Sequence, residues 1–543
     1  MNYCTFAILA LCLVFVNTST AQSLTGELKR WHKVTLVVDG PSSSETATPN
    51  PFADYRMQVT FIHPGSGLSY VVPGYFAADG DAANSSATSG NKWHAHLSPD
   101  EIGLWEYAVS FREGPDVAID PAPGAGTAVA PYDGLTGTFT IQETDKSGAD
   151  FRAKGRLEYV GEHYLRFAGS GKYFVKAGPD SPENMLAYED FDDTPNDPNK
   201  NGNLRKSWSP HAADYAAADA SAYTWTDAVS SEVHGTELLG GLRYLSDIEG
   251  LNSISFLTFS LDGDDDNVFP HLLLNGVTAF EDIGDSGGEL PTEGRWADTT
   301  DGVHHDRFDV SKMAQWERIM AYATKKGLFM DIKTQETEND RKLDGGDLGR
   351  ERKLYYRELI ARFSHNLGLQ WNLGEENDIY NELNDSNQTR VKSYAEYFND
   401  NDPYNHLVTI HSYPGGKGST YNPLLGNNSQ LTGASLQTNN SSFNNVFGDV
   451  RDWVENSANA GKPWVVYCDE PGDAQAALRP DSDPGASHEN GRKNALWGSI
   501  MAGGAGANFY FGYRYSNSDL TLQDWRSRDN FWDYCRHMLQ FFE

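Results

Sequence analysis

Between Trp31 and Thr144 the chain consists of short runs in which apolar and polar side chains alternate. Tyr55, Met57, Val59 and Phe61 take every second place in "YRMQVTFIHPG", the period of a strand buried on one face. "HKVTLVVDG", "LSYVVPGYFAADG", "KWHAHLS", "GLWEYAVSFREG" and "TGTFTIQE" repeat the style, split by Gly, Pro, Asn and Asp. Roughly a hundred residues of half-buried antiparallel strands predict an immunoglobulin-like β-sandwich over 27–145. "DKSGAD" reads as the linker that follows it.

The pattern then changes. Eight β-type runs alternate with helical stretches or long loops: "YFVKAG", "SISFLTFSLDG", "LFMDIKTQE", "LGLQWNLGEEN", "HLVTIHSYPG", "GASLQT", "KPWVVYCDEPG" and "ANFYFGY". Amphipathic stretches such as "VSKMAQWERIMAYATKKG" and "LGRERKLYYRELIARFSHN" lie between them. In the second, Leu354, Leu359 and Phe363 form one stripe with charges opposite. Strands alternating with helices predict a parallel sheet, and eight of them predict a (β/α)8 barrel over 155–543. The fold class is therefore α/β, a TIM barrel preceded by an all-β sandwich.

Composition narrows the setting. A length of 543 residues with 12% aromatic side chains suits two domains. The apolar run "FAILALCLVFV" with "STA" before Gln22 reads as a signal peptide over 1–21, although its start lacks Lys or Arg. Secretion or a periplasmic destination follows from it, and Cys4 and Cys12 would leave with it. Cys468 and Cys535 remain, as a pair or as two buried thiols. A net charge of −33 disfavours nucleic acid and anionic membranes as partners.

The candidate chemistry stands at strand ends. "LGEEN" closes the fourth run and "YCDEPG" the seventh. Barrel enzymes carry their catalytic groups at those ends, so Glu376 and Glu470 can face one another across the mouth. Two carboxyl groups flanking one pocket are what glycosidic cleavage requires. One stays protonated for the departing oxygen, and the other is ionised to attack the sugar carbon or activate water. Taken alone, "GEEN" also reads as a polar loop and "DEPG" as a turn. Asp469 is an alternative to Glu470 as nucleophile. The pair carries the reading.

"WNLGEEN" resembles the Trp-x-x-Gly-Asn-Glu pattern of clan-A glycoside hydrolases. "YFVKAGPDSPENML", "WNLGEEN", "KPWVVYCDEPG" and "MAGGAGANFYFGY" together resemble exported bacterial proteins with an Ig-like N-terminal domain before an apiosidase-like or cellulase-like glycosidase barrel. The resemblance implies a retaining hydrolase of a polysaccharide or oligosaccharide, with Glu376 as acid/base and Glu470 as nucleophile. Glu375 stands where that pattern has Asn, which leaves open which glutamate donates the proton.

Other strand-end residues are expected to line the cleft: Gln335, Glu336, His411, Tyr413, Gln437, Tyr510 and Tyr513, with Glu375. Aromatic faces stack on sugar rings, while amides and His bond their hydroxyls. Lys333, Lys417 and Arg514 are expected at the surface, or beside an anionic group on the substrate. No cofactor is expected in catalysis. "DPNKNG" offers Asp197, Asn199 and Asn201 to a structural calcium, though the twelfth loop position is Trp208 instead of Glu. "LDGDDDN" from Leu261 is a second acidic loop, and the His304–His305 pair lacks a third ligand for zinc. A non-catalytic carbohydrate-binding or scaffold protein on a glycosidase-like barrel is the alternative function, kept alive by Glu375.

Overall fold

The computed structural model describes residues 22–195, 204–261, 267–274, 302–377, 383–485 and 488–543. The predicted leader, the Asp197–Asn201 loop, the aspartates after Leu261, and Asp378 lie outside the described residues.

The N-terminal region is two antiparallel sheets. One has the order β1-β2-β6-β5, from Gln22–Gly26 (β1), Val34–Ser44 (β2), Tyr75–Phe76 (β5) and Ser89–Leu97 (β6). The other runs β4-β3-β7, from Tyr55–His63 (β3), Leu68–Pro73 (β4) and Gly103–Glu113 (β7). Thr127–Ala128 (β8) and Thr136–Ile141 (β9) both pair with β7. Inward residues of both sheets, Leu36, Val38, Val59, Phe61 and Trp105 among them, are fully buried. Trp93 of β6 meets Phe111 of β7 edge to face at 5.0 Å. The strand β1 lies before the predicted boundary at 27. Its "QSLTG" is polar because it is a half-exposed edge strand, paired with β2 from Gln22↔Val38 to Gly26↔Val34.

After this comes a small antiparallel sheet of Leu157–Tyr159 (β10), Leu165–Phe167 (β11) and Tyr173–Phe174 (β12). Lys176–Pro179 (β13) follows it, then two antiparallel pairs: Trp225–Thr226 (β14) with Val233–His234 (β15), and His271–Leu273 (β17) with Val303–Phe308 (β18). The parallel strands form two sheets. Ser253–Leu257 (β16), Phe329–Lys333 (β19), Leu369–Asn372 (β20) and Leu407–Thr409 (β21) make the first. In the second, β13 pairs with Gly506–Phe509 (β25), then Val465–Glu470 (β24), Gly433–Gln437 (β23) and His411–Ser412 (β22). All eight predicted runs fall on these strands.

The two sheets meet at both edges. Only Ile410 separates β21 from β22. At the other edge Asn252 N donates to Ala177 O at 3.3 Å, and Ala177 N donates to Asn252 Oδ1 at 3.0 Å. Gly178 is required there: a Cβ would lie 2.0 Å from Ser253 O. Every residue of β13, β16, β19, β20, β23, β24 and β25 is buried, as strands covered on both faces should be.

Helices Val310–Lys326 and Arg350–Phe363 form where the periodicity predicts them, and a further helix spans Val446–Asn459. Asp309 caps the first, its Oδ1 accepting from Lys312 N at 2.9 Å, and Gly327 ends it with φ +70°. The predicted polar face of Arg350–Phe363 is not solvated. Arg357, Glu358 and Arg362 are buried because the sandwich lies over that side, whereas Arg352 is buried against Gln335, Asp340 and Leu343. Arg357 donates to Gly74 O at 2.9 Å, and Arg362 donates to Phe76 O at 3.1 Å and pairs with Glu358 at 2.9 Å. Nearby, Arg156 sits 4.1 Å over the Tyr404 ring and donates to Ser98 O at 2.9 Å. Cys468 and Cys535 are both free and buried.

Candidate active site

The segment Leu373–Asn377 leaves β20 under backbone control. Leu373 N donates to Thr409 O and Glu375 N to Gln335 O, both at 2.9 Å, and His411 N donates to Gly374 O at 3.1 Å. Glu376 then takes φ +38°, a left-handed conformation uncommon outside glycine and typical of functional turns. Its carboxylate accepts from Gln437 Nε2, and its carbonyl accepts from Thr337 Oγ1 at 3.2 Å. Gln437 is the Cα partner of Glu470 across β23 and β24, just past a register shift after Leu436. A single side chain thus ties Glu376 to the strand pair that bears Glu470. The two glutamates, 94 residues apart in sequence, belong to one site.

Around Glu470 the carboxyl groups are crowded. Atoms of Glu375, His411 and Glu470 lie within 4.8 Å of one another, as do those of Asp180, Glu183 and Glu470, and those of Glu183, Glu336 and Glu375. Lys333 stands among them, 3.3 Å from Asp180 Oδ2 and in contact with Glu183 Oε1. Its ammonium is wholly buried, yet Asp180, Glu183, Glu375 and Glu470 together hold its pKa well above the lysine range against that burial. The acids respond in the opposite sense. Burial pushes Asp180 and Glu183 up to about 7 although Lys333 opposes the rise. Burial, then Glu376 and Glu183, raise Glu470 well above the ordinary carboxylate range. Burial, then Glu183, Glu336 and Glu376, do the same to Glu375.

His411 is positioned from below. Asn372 Nδ2 donates to Ser435 Oγ at 3.2 Å, and Ser435 Oγ lies 3.1 Å from His411 Nδ1. With the Ser435 hydroxyl donating a hydrogen bond to Nδ1, His411 carries N–H on Nε2, which faces Glu470 at 3.2 Å and Glu375 at 3.7 Å. Burial, Lys333, Lys176 and Lys417 hold the ring well below the usual histidine range, so it stays neutral. Deeper still, Lys176 pairs with Asp469 at 2.6 Å and lies 3.8 Å from Asp331. Asp469 is consumed by that pair, which favours Glu470 as the reactive neighbour.

The remaining predicted residues divide. Tyr510 is buried next to Glu470, whose charge helps raise its phenol beyond the tyrosine range after burial and Asp519. Tyr513 meets it edge to face at 6.0 Å and is 39% exposed, while Tyr413 is 50% exposed. Glu336 joins the carboxyl cluster. Gln335 is buried with its amide engaged at both ends, by Asp340 and Arg352. Lys333 is neither surface nor free, contrary to expectation. Lys417 bonds Pro414 O at 2.7 Å and Gln437 O at 3.1 Å. Asp180, Glu183 and Asp519 were not predicted. The signal for Asp180 and Glu183 was "GPDSPENML" at the end of the first parallel run, a strand end like the other two; Asp519 lies far from it in sequence.

These oxygen clusters have the ligand types of a divalent-cation site. The Lys333 ammonium already occupies the position of positive charge among Asp180, Glu183 and Glu470, so the set fits a buried ion-pair network better than a metal. Glu27, His32 and Asp145 also converge, but Lys29 and Lys146 pair with both acids.

Comparison with known proteins bears on the fold. Residues 27–112 match a family model described as a domain of unknown function (DUF5060). The chain resembles the crystal structure of "a putative glycoside hydrolase" from Bacteroides vulgatus ATCC 8482 with a TM-score of 0.60 at 16% identity, over 94% of this chain and 78% of that one. A glycoside hydrolase family 5 protein of the same strain gives 0.42 at 15% identity, over 72% and 71% of the two chains. The hyperthermostable endo-1,4-beta-D-mannanase from Thermotoga petrophila RKU-1 gives 0.34 at 16% identity, over 55% and 94%. No curated protein matches the sequence. Taken with the parallel strands, the first likeness shows a mixed α/β fold shared with that protein.

Proposed function

We propose that this protein is a glycoside hydrolase of a polysaccharide or oligosaccharide. It would act by a retaining double displacement on a closed (β/α)8 barrel behind an Ig-like domain. The observation that carries the reading is the tie from Glu376 through Gln437 to the Glu470 strand pair. Glu470 is the nucleophile. It attacks the anomeric carbon as the bond to the leaving oxygen breaks, and the neutral His411 beside it supports its ionised form. Glu376 gives its proton to that oxygen, then takes one from the water that releases the sugar. Tyr413 and Tyr513 supply open aromatic surface for sugar rings. The leader-like start favours action outside the cytoplasm, and Asp197, Asn199 and Asn201 remain a candidate structural calcium loop.

The test is hydrolysis of a broad glycan panel, including sulfated galactans and pectins, read by product mass. The wild type should release products, and Glu376→Ala and Glu470→Ala should not. Full rates in both variants would remove the assignment. Binding without turnover by the wild type would favour a carbohydrate-binding protein.

A further inference from the structure

The crowd of acids around Glu470 contains more carboxyl groups than its cation can balance. Lys333 is in contact with Asp180 and Glu183. Glu375 is 3% exposed and, among the described residues, has no ion pair with Lys or Arg; the basic group facing it is the neutral His411 at 3.7 Å. Oxygens of Glu183 and Glu336 on one side, and of Glu470 on the other, approach within 4.8 Å. The carboxyl group of Glu376 stands at the next position in the chain. A carboxyl group desolvated among anions keeps its proton, and a neutral acid can donate a hydrogen bond where a carboxylate can only accept.

We propose that Glu375 is a neutral carboxylic acid that acts as a hydrogen-bond donor beside Glu470, fixing that carboxylate and a sugar hydroxyl next to it, while Glu376 alone exchanges a proton with the leaving group. The sugar hydroxyl rests on the hydrolase reading; the protonation of Glu375 does not. The proposal gives Glu375 a positive role in a site where two adjacent glutamates otherwise compete for one. Buried acids kept neutral in order to donate are known in other enzymes.

Glu375→Gln separates the possibilities, because an amide donates and cannot ionise. Thermal unfolding of the wild type and this variant is followed between about pH 5 and pH 9, with and without calcium chloride. The groups facing Glu375 are Glu183, Lys333, Glu336, Glu376, His411 and Glu470, and all are common to both proteins. Glu375→Gln should be at least as stable as the wild type, with an advantage that widens as pH rises. On any substrate found by the panel it should keep its rate within about tenfold of the wild type, whereas Glu376→Gln should lose at least about a hundredfold. A variant that is less stable at every pH overturns the neutral acid. Stabilisation of the wild type but not the variant by calcium overturns it as well, in favour of a metal site. A rate loss equal to that of Glu376→Gln overturns the division of roles. If no glycan is cleaved by the wild type, the hydrolase reading fails while the unfolding profiles still decide the protonation.

Discussion

The seam beneath the sandwich and the mouth of the parallel strands both bury many ionisable groups, but they spend them differently. In the seam Lys33, Arg357 and Arg362 each meet an opposite charge or a carbonyl. Lys33 contacts Glu317, Arg362 pairs with Glu358, and Arg357 caps Met57 O and Gly74 O. In the mouth, Asp180, Glu183, Glu375 and Glu470 crowd around one ammonium. Compensation of that kind holds two layers together. An excess of like charge adds nothing to stability, and in a cleft it is the arrangement that tunes acids and bases. The contrast teaches where to look for chemistry.

The two regions should answer pH with opposite sign. Mouth carboxyls have raised folded-state pKa values, so their contribution is fullest below the unfolded value of about 4.3 and fades as pH rises through the folded values. Seam histidines have lowered values. Burial, aided by His96, holds His94 down to about 3, and burial likewise lowers His96 and His365. Their contribution is complete above about pH 6.5 and fades as the pH falls.

The largest expected effect is catalytic. Glu376→Gln and Glu470→Gln should each cut hydrolysis by about 10²–10⁴-fold or more at pH 7, measured as initial rates. Glu470→Gln should also unfold at a temperature no lower than the wild type, since it removes a crowded acid. Lys333→Met comes next. It leaves Asp180 and Glu183 buried without their cation and should cost about 3–5 kcal/mol in denaturant unfolding at pH 7. Acidification to about pH 5 should recover part of that loss, because the two acids can then take up protons.

In the seam, Glu317→Ala should cost about 1–3 kcal/mol, below the range for a fully buried pair because Lys33 is part exposed and can turn to solvent. Hydrolysis per folded molecule should not change. The smallest effect belongs to His94→Gln, which should flatten the stability loss between about pH 6.5 and pH 5 by about 1–2 kcal/mol, read from paired urea titrations. A seam variant that abolished hydrolysis while leaving the fold intact would break the contrast.

Much of this was legible in the sequence. The parallel strands followed from apolar runs spaced by helical ones, and the nearness of Glu376 to the Glu470 strand from carboxylates at two run ends. What stayed hidden depended on contacts distant in sequence. Lys333 ends "FMDIK", a strand buried at every position, so alternation carried no sign of which face its ammonium takes. Arg357 and Arg362 looked solvated because nothing local announces that another domain covers them. Gln335 seemed a sugar ligand until Arg352, one helix later, was seen to occupy its carbonyl. The special turn at Glu376 gave no local warning, as its left-handed φ arises without glycine.

The most direct measurement is intact-protein and peptide mass spectrometry of Glu376→Gln after exposure to a substrate with a reactive leaving group, chosen once the panel names the sugar. A single glycosyl adduct on the peptide carrying Glu470 is the predicted result. An adduct on Glu375 or Asp469, or first-formed product with inverted anomeric configuration in the wild type, would contradict it.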